Sequence, residues 1–108
     1  MAYKVLLTAG AEQDLEDIYD YITESDSPAK ANYDLTRLLE AAGHLPAFPE
    51  RGSRPKELQA LGIREYRQTF FKPYRLIDRV IGKQVFINVI ADGIRDMQPL
   101  LQRRLLGA

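Results

Sequence analysis

Between Ile63 and Asp92 three strand-length segments, "IREYRQTFF", "YRLIDRVI" and "QVFINVIAD", are joined by only two residues each, Lys72 with Pro73 and Gly82 with Lys83. Connectors this short can only turn the chain back on itself, so the three segments form an antiparallel meander. The rest of the chain must fold around that sheet. Its apolar face needs cover, and the first half of the sequence supplies it.

"YKVLLT", Tyr3 to Thr8, has the β-branched and aromatic content of a first strand. The hydroxyl of Thr8 is placed to cap a helix in which Leu15, Ile18, Tyr19 and Ile22 follow the i, i+3, i+4, i+7 rule of one buried stripe. Its other face, Glu12, Asp14, Glu16, Asp17, Asp20 and Glu24, reads as solvated acid. Ser27 and Pro28 suit the cap and first position of a second helix, whose stripe is Ala31, Leu35, Leu38, Leu39, Ala42 and Leu45. Pro46 and Pro49 end it, which leaves an αα-hairpin followed by a loop, "FPERGSRPKEL". Met97, Leu100, Leu101 and Leu105 predict a short terminal helix with Pro99 in its first turns.

The expected fold is therefore α+β in the order β-α-α-β-β-β-α. An αα-hairpin packs on a four-stranded antiparallel sheet of order 1-4-3-2, with the first strand antiparallel beside the last. At 108 residues the chain is expected to be one domain, 1–108. It has no cysteine and one histidine, so neither a disulfide framework nor a zinc site of Cys and His ligands can be built within it. His44 has no partner for metal binding, and no metal or cofactor is expected. The opening residues lack the pattern of a secretory signal and no segment has spanning length, so a cytoplasmic location without membrane contact is expected.

Fifteen basic and fifteen acidic residues cancel, so no global field draws the chain to nucleic acid. The charges are nonetheless segregated. Residues 1–50 hold three bases against ten acids, and residues 51–108 hold twelve bases against five. The basic half concentrates in "REYRQTFFKPYRLIDRV", where Arg64, Arg67, Arg75, Arg79 and Lys72 alternate with Tyr66, Phe70, Phe71 and Tyr74. Neither face of Arg64 to Phe71 is cleanly apolar, the pattern of an edge strand carrying either protective charge or a partner surface. Arg51, Arg54 and Lys56 read as a solvated loop, and Arg103 and Arg104 as cations favoured at a helix C-terminus. Asp96 can cap the last helix.

Five segments in order, "YKVLLTAGAEQDLEDIYDYI", "SPAKA", "LPAFPERGSRPKEL", "LGIREYRQTFFKPYRLI" and "VIADGIRDMQPLLQRRL", resemble toxins of the RelE/ParE superfamily, in particular the ParE branch. The resemblance spans nearly the whole chain. It implies the toxin of a type II toxin-antitoxin pair, bound by a ParD-like antitoxin and acting on DNA gyrase by binding, with no catalytic residue and no sequence-specific contact to nucleic acid. RelE-like relatives are instead ribosome-dependent mRNA endonucleases that use basic side chains and a terminal proton-transfer group. Arg95 matches one arginine of that set, but the expected strand arginine falls at Phe70 and the terminal tyrosine at Leu101. The alternative readings are such an endonuclease built on Arg95, Arg67, Tyr66 and Arg75, or a degenerate, non-toxic module that only binds antitoxin.

Antitoxin contact is expected at Tyr66, Phe70, Phe71, Arg64, Arg67 and Arg75, and target contact at Arg95, Arg103 and Arg104. The segment from Met97 onward is expected to be required for toxicity and dispensable for the folded core.

Overall fold

The computed structural model describes residues 3–44, 52–93 and 96–107. Leu45, Pro46, Pro49, Arg51 and Arg95 lie outside the described residues. The first strand, β1 (Lys4–Leu7), leads directly into α1 (Ala9–Ser25), capped by Thr8, whose side chain accepts from the Ala11 N–H at 3.2 Å. Ser27 caps α2 (Pro28–Gly43) in the same way through the Lys30 N–H, with Pro28 at the start. The meander is β2 (Tyr66–Phe71), β3 (Tyr74–Ile81) and β4 (Gln84–Asp92). One short helix was not expected: within the predicted loop, Lys56–Gln59 form a helical turn, α3, anchored by the fully buried Leu58. The terminal helix α4 (Met97–Leu106) starts on its Asp96 cap.

The sheet order is β1-β4-β3-β2, as expected, but β1 lies parallel to β4, so the sheet is mixed rather than wholly antiparallel. The meander gives β4 the direction of β2, so β2 also runs the same way as β1. An antiparallel β1 would require the chain to enter β2 from the end where α2 delivers it. The connection between Gly43 and Tyr66, long enough to contain α3, carries the chain to the other end of the sheet instead.

Both sheet faces are covered. On one, Ala11, Leu38 and Ala42 of the hairpin pack on Leu76, Val85, Ile87 and Ile90. On the other, Leu58 of α3 and Met97, Leu100 and Leu101 of α4 pack on Tyr66, Ile77, Val89 and Ala91. Ile77 pairs with Val89 and Asp78 with Ile87, which leaves Asn88 as an extra residue, a β-bulge. The bulge explains why β4 is apolar at both parities: before it Val85 and Ile87 face the hairpin, and after it Val89 and Ala91 face α4 while Ile90 faces the hairpin. Leu76, Ile77, Val85, Ile87 and Val89 are solvent-free, each contributing about 1.5–3 kcal/mol by leaving water. Because α4 supplies three buried residues, the terminal segment belongs to the core, contrary to the expectation that it is dispensable.

Among the described residues no helix is long and apolar enough to cross a membrane.

Candidate functional site

Alternation along β2 puts Tyr66, Gln68 and Phe70 on the α4 side of the sheet and Arg67, Thr69 and Phe71 on the hairpin side. Register with β3 sets Phe70 opposite Arg75, Gln68 opposite Ile77 and Tyr66 opposite Arg79. The result is a row of ring and guanidinium pairs. Arg75 lies 5.7 Å from the centre of the Phe70 ring and Arg79 lies 5.8 Å from that of Tyr66.

The two rings differ in what they can offer a partner. Tyr66, 7% exposed, is packed into the α4-side core, whereas Phe70, at the open end of the row, is 60% exposed. Arg75 is itself only 7% exposed and is engaged on several sides. It donates to both carboxylate oxygens of Glu57 at 2.9 and 3.0 Å and to the side-chain oxygen of Gln68. The hydrogen bonds from Arg75 hold the Glu57 carboxyl below its usual range. Gln68 passes the network on to Ser53, through side chains at 3.0 Å and backbone at 2.8 Å. This contact closes the edge of β2 at its middle. Only glycine fits at position 52, because φ is +96° and a Cβ would meet the Gln68 carbonyl oxygen at 2.2 Å.

On the opposite face Arg67 stands across from Asp78, a fully buried carboxylate neither of whose oxygens has a hydrogen-bond partner among the described residues. Burial raises the Asp78 carboxyl to about 7, with Arg67 pulling the other way. Phe71 is half-buried against the hairpin core. Arg64 precedes β2 and is exposed, and its carbonyl accepts from Arg54.

Of the residues expected to meet an antitoxin, then, Tyr66, Phe70 and Arg75 share a face, while Arg67 and Phe71 point the other way. The same division separates the endonuclease set: Arg67 does not converge with Tyr66 and Arg75, and Arg75 is already bound by Glu57. Arg95 lies outside the described residues. Arg103 is exposed in the last turn of α4.

Arg104 is drawn inward. It holds both carboxylate oxygens of Asp14, at 2.8 and 3.0 Å, and donates to the Asn88 carbonyl at 2.9 Å. Asp14 in turn accepts the Ile90 N–H at 2.9 Å. Since β1 ends opposite Ile87, these two side chains take up the β4 backbone groups that have no strand beside them. Sequence reasoning had placed Asp14 on the solvated acidic face. Its spacing, three after Ala11 and four before Ile18, puts it on the edge of the buried stripe, and that was the available signal. Glu57 and Gln68 carried no comparable signal, because their partner is distant in sequence.

The fold is shared with chains of solved toxin-antitoxin structures. With a TM-score of 0.73 and 24% identity, 84% of this chain matches 96% of a chain from the chromosomal ParDE TA system of P. aeruginosa. With a TM-score of 0.58 and 20% identity, 85% of it matches 99% of a chain from the toxin-antitoxin complex RelBE2 of Mycobacterium tuberculosis. No curated protein sequence matches the chain. The family model described as ParE toxin of type II toxin-antitoxin system, parDE, matches residues 5–98. The chain belongs to that family.

Proposed function

We propose that this ParE-type toxin acts in the cytoplasm by binding DNA gyrase, with no chemical step of its own, and that a ParD-like antitoxin neutralises it. The observation that supports the absence of a chemical step is that the candidate groups are engaged or apart: Arg67 lies on the hairpin side, and on the α4 side Tyr66 is packed in the core and Arg75 is held by Glu57. A metal-free endonuclease needs an available cation and proton donor at one phosphate; Tyr66 and Arg75 share a face, but the first is buried and the second is already paired with Glu57. Target contact is assigned to Arg103, exposed in the last turn of α4, and from the sequence to Arg95, while Arg104 acts through its hold on Asp14. Antitoxin contact is assigned to the α4-side row, with Phe70 as the apolar anchor and Arg75 fixed behind it. An exposed ring backed by an immobile guanidinium is the composition of an interface hot spot.

Two parallel assays with the purified protein test the target: gyrase supercoiling, and cleavage of ribosome-bound mRNA. Inhibition of the first without the second is expected. Cleavage alone would support the endonuclease reading, and inactivity in both, with antitoxin binding intact, would support the degenerate module.

A further inference from the structure

Glu57 reaches the α4-side row from the short helix α3, and that helix is tied to the interior on both sides of it. Leu58, the next residue, is solvent-free in the α4-side core. The N–H groups of Leu58 and Gln59 donate to the Pro55 carbonyl, and the Gln98 side chain of α4 donates to the Glu57 carbonyl at 3.3 Å. Core packing therefore sets where the Glu57 carboxylate stands, and the carboxylate sets where Arg75 stands, in a pair that is nearly free of solvent. The stem of Arg75 is fixed as well, because it packs along Gly93, where an added Cβ would lie 3.3 Å from its Cγ and 3.5 Å from its Cδ. Held between Glu57, Gln68 and Gly93, the guanidinium has one position to offer the Phe70 ring. Phe70 depends on it. The ring lies on the outermost strand, is mostly exposed and belongs to neither core, and an exposed ring without a fixed neighbour exchanges among its staggered χ1 rotamers.

We propose that Glu57 is the positioning and specificity-determining residue of the antitoxin site: it fixes Arg75 as a platform that holds Phe70 in one orientation, and by neutralising Arg75 it makes the partner group above the ring apolar rather than acidic. A ring ordered before binding has less freedom to lose when the complex forms. A guanidinium whose N–H fork is filled by one carboxylate has little left for a second, and the second would be repelled by the first. The hydrogen bonds from Arg75 hold the Glu57 carboxyl low, which keeps the pair ionised at neutral pH. The side chain that this site selects on the antitoxin is thus aliphatic or aromatic.

This role of Glu57 rests on Phe70 being the antitoxin anchor, so the test has one arm on the free toxin and one on the complex. In the free toxin, couplings between the backbone ¹⁵N and the ring ¹³Cγ report χ1 of Phe70. One rotamer is expected in the parent, and rotamer averaging in Glu57→Gln with the amide spectrum otherwise retained. In the complex, titration calorimetry with the ParD-like antitoxin is run on Glu57→Gln, Phe70→Ala and the double variant. Glu57→Gln should weaken binding about three- to tenfold, and that loss should vanish in the Phe70→Ala background. The loss from Phe70→Ala should not shrink between about 50 mM and about 500 mM salt. If Glu57→Gln does not stay folded, Gln98→Ala, which loosens α3 without touching the ion pair, takes its place in both arms. A single Phe70 rotamer in the variant, or an equal loss with and without the ring, would overturn the positioning role. A Phe70 contribution that fades in high salt would overturn the apolar partner. Undiminished binding by Phe70→Ala would instead remove the antitoxin assignment, and the role of Glu57 with it, whatever the couplings show.

Discussion

Arg104 and Asp14, 90 residues apart in sequence, form a two-pronged ion pair at 2.8 and 3.0 Å that ties the end of α4 to α1 and to the bulge of β4. Both side chains are mostly buried, so removing either one leaves the other's charge without its counter-ion, and removing Asp14 also strips the Ile90 N–H of its acceptor. Arg104→Ala or Asp14→Ala should each cost about 1.5–3 kcal/mol in urea unfolding. The two losses should be far from additive in the double variant, because the same contact is removed twice.

Gly10 lies under that guanidinium, and a Cβ there would stand 2.5 Å from an Arg104 nitrogen. Gly10→Ala should therefore push Arg104 aside and cost stability, despite alanine's better helix propensity. The check is the same substitution in an Arg104→Ala background, where it should become neutral or stabilising.

Much of the frame was legible before the structure. The caps at Thr8, Ser27 and Asp96 and the two-residue turns of the meander are local chemistry, and the structure has them where the sequence put them. The direction of β1 was not legible, because it depends on which end of the sheet the long connection after α2 reaches, and no local signal encodes that. Which face Val89, Ile90 and Ala91 take was not legible either, since a bulge shifts the parity of a strand without changing its composition. At the site, the rings of Tyr66, Phe70 and Phe71 were legible as a group, but not that Phe70 is the exposed one, which depends on what covers Tyr66. The capture of Arg75 by Glu57 and of Arg104 by Asp14 depended on long-range pairing.

Asp78 gives a pH dependence whose sign follows from its raised carboxyl, about 7 in the folded chain against an ordinary 3.8. The folded state holds a proton that the unfolded state releases, so the Asp78 contribution is fully present below about pH 4 and is lost as pH rises to about 7. The loss across this window should be roughly 2–4 kcal/mol. Asp78→Asn should remove it, so urea unfolding at pH 4.5 and 7.5 should show the variant gaining on the parent at the higher pH. An unchanged difference would mean that Asp78 is ionised throughout.

Glu57 works in the opposite direction. Its carboxyl is held low by hydrogen bonds from Arg75, so its contribution is present above the unfolded value of 4.5 and fades as pH falls below it. Glu57→Gln should cost about 1–2 kcal/mol at pH 7 and less at pH 3.5. Stability measured at the two pH values checks the sign.

Because Leu101 is solvent-free between the sheet and α4, Leu101→Ala should cost about 2–4 kcal/mol. Deletion from Met97 onward should unfold the α4-side core, read by circular dichroism. Loss of toxicity in such a truncation therefore says nothing about target contact, and the exposed Arg103 is the residue to change. Arg103→Glu should lower gyrase inhibition with an unchanged melting temperature.

Antitoxin affinity measured by titration calorimetry tests Phe70 as the anchor of the α4-side row. Phe70→Ala should weaken binding by about 2 kcal/mol or more, while Arg51→Ala, a control outside the row, should change it little. Equal and near-zero effects would place the antitoxin elsewhere.

The most direct test of a toxin that acts by binding is the stoichiometry of its effect on gyrase. Purified toxin added to a supercoiling reaction at several gyrase concentrations should inhibit in proportion to the gyrase present, and ribosome-bound mRNA should remain intact alongside. Uninhibited supercoiling together with multiple-turnover cleavage of that mRNA would contradict the account.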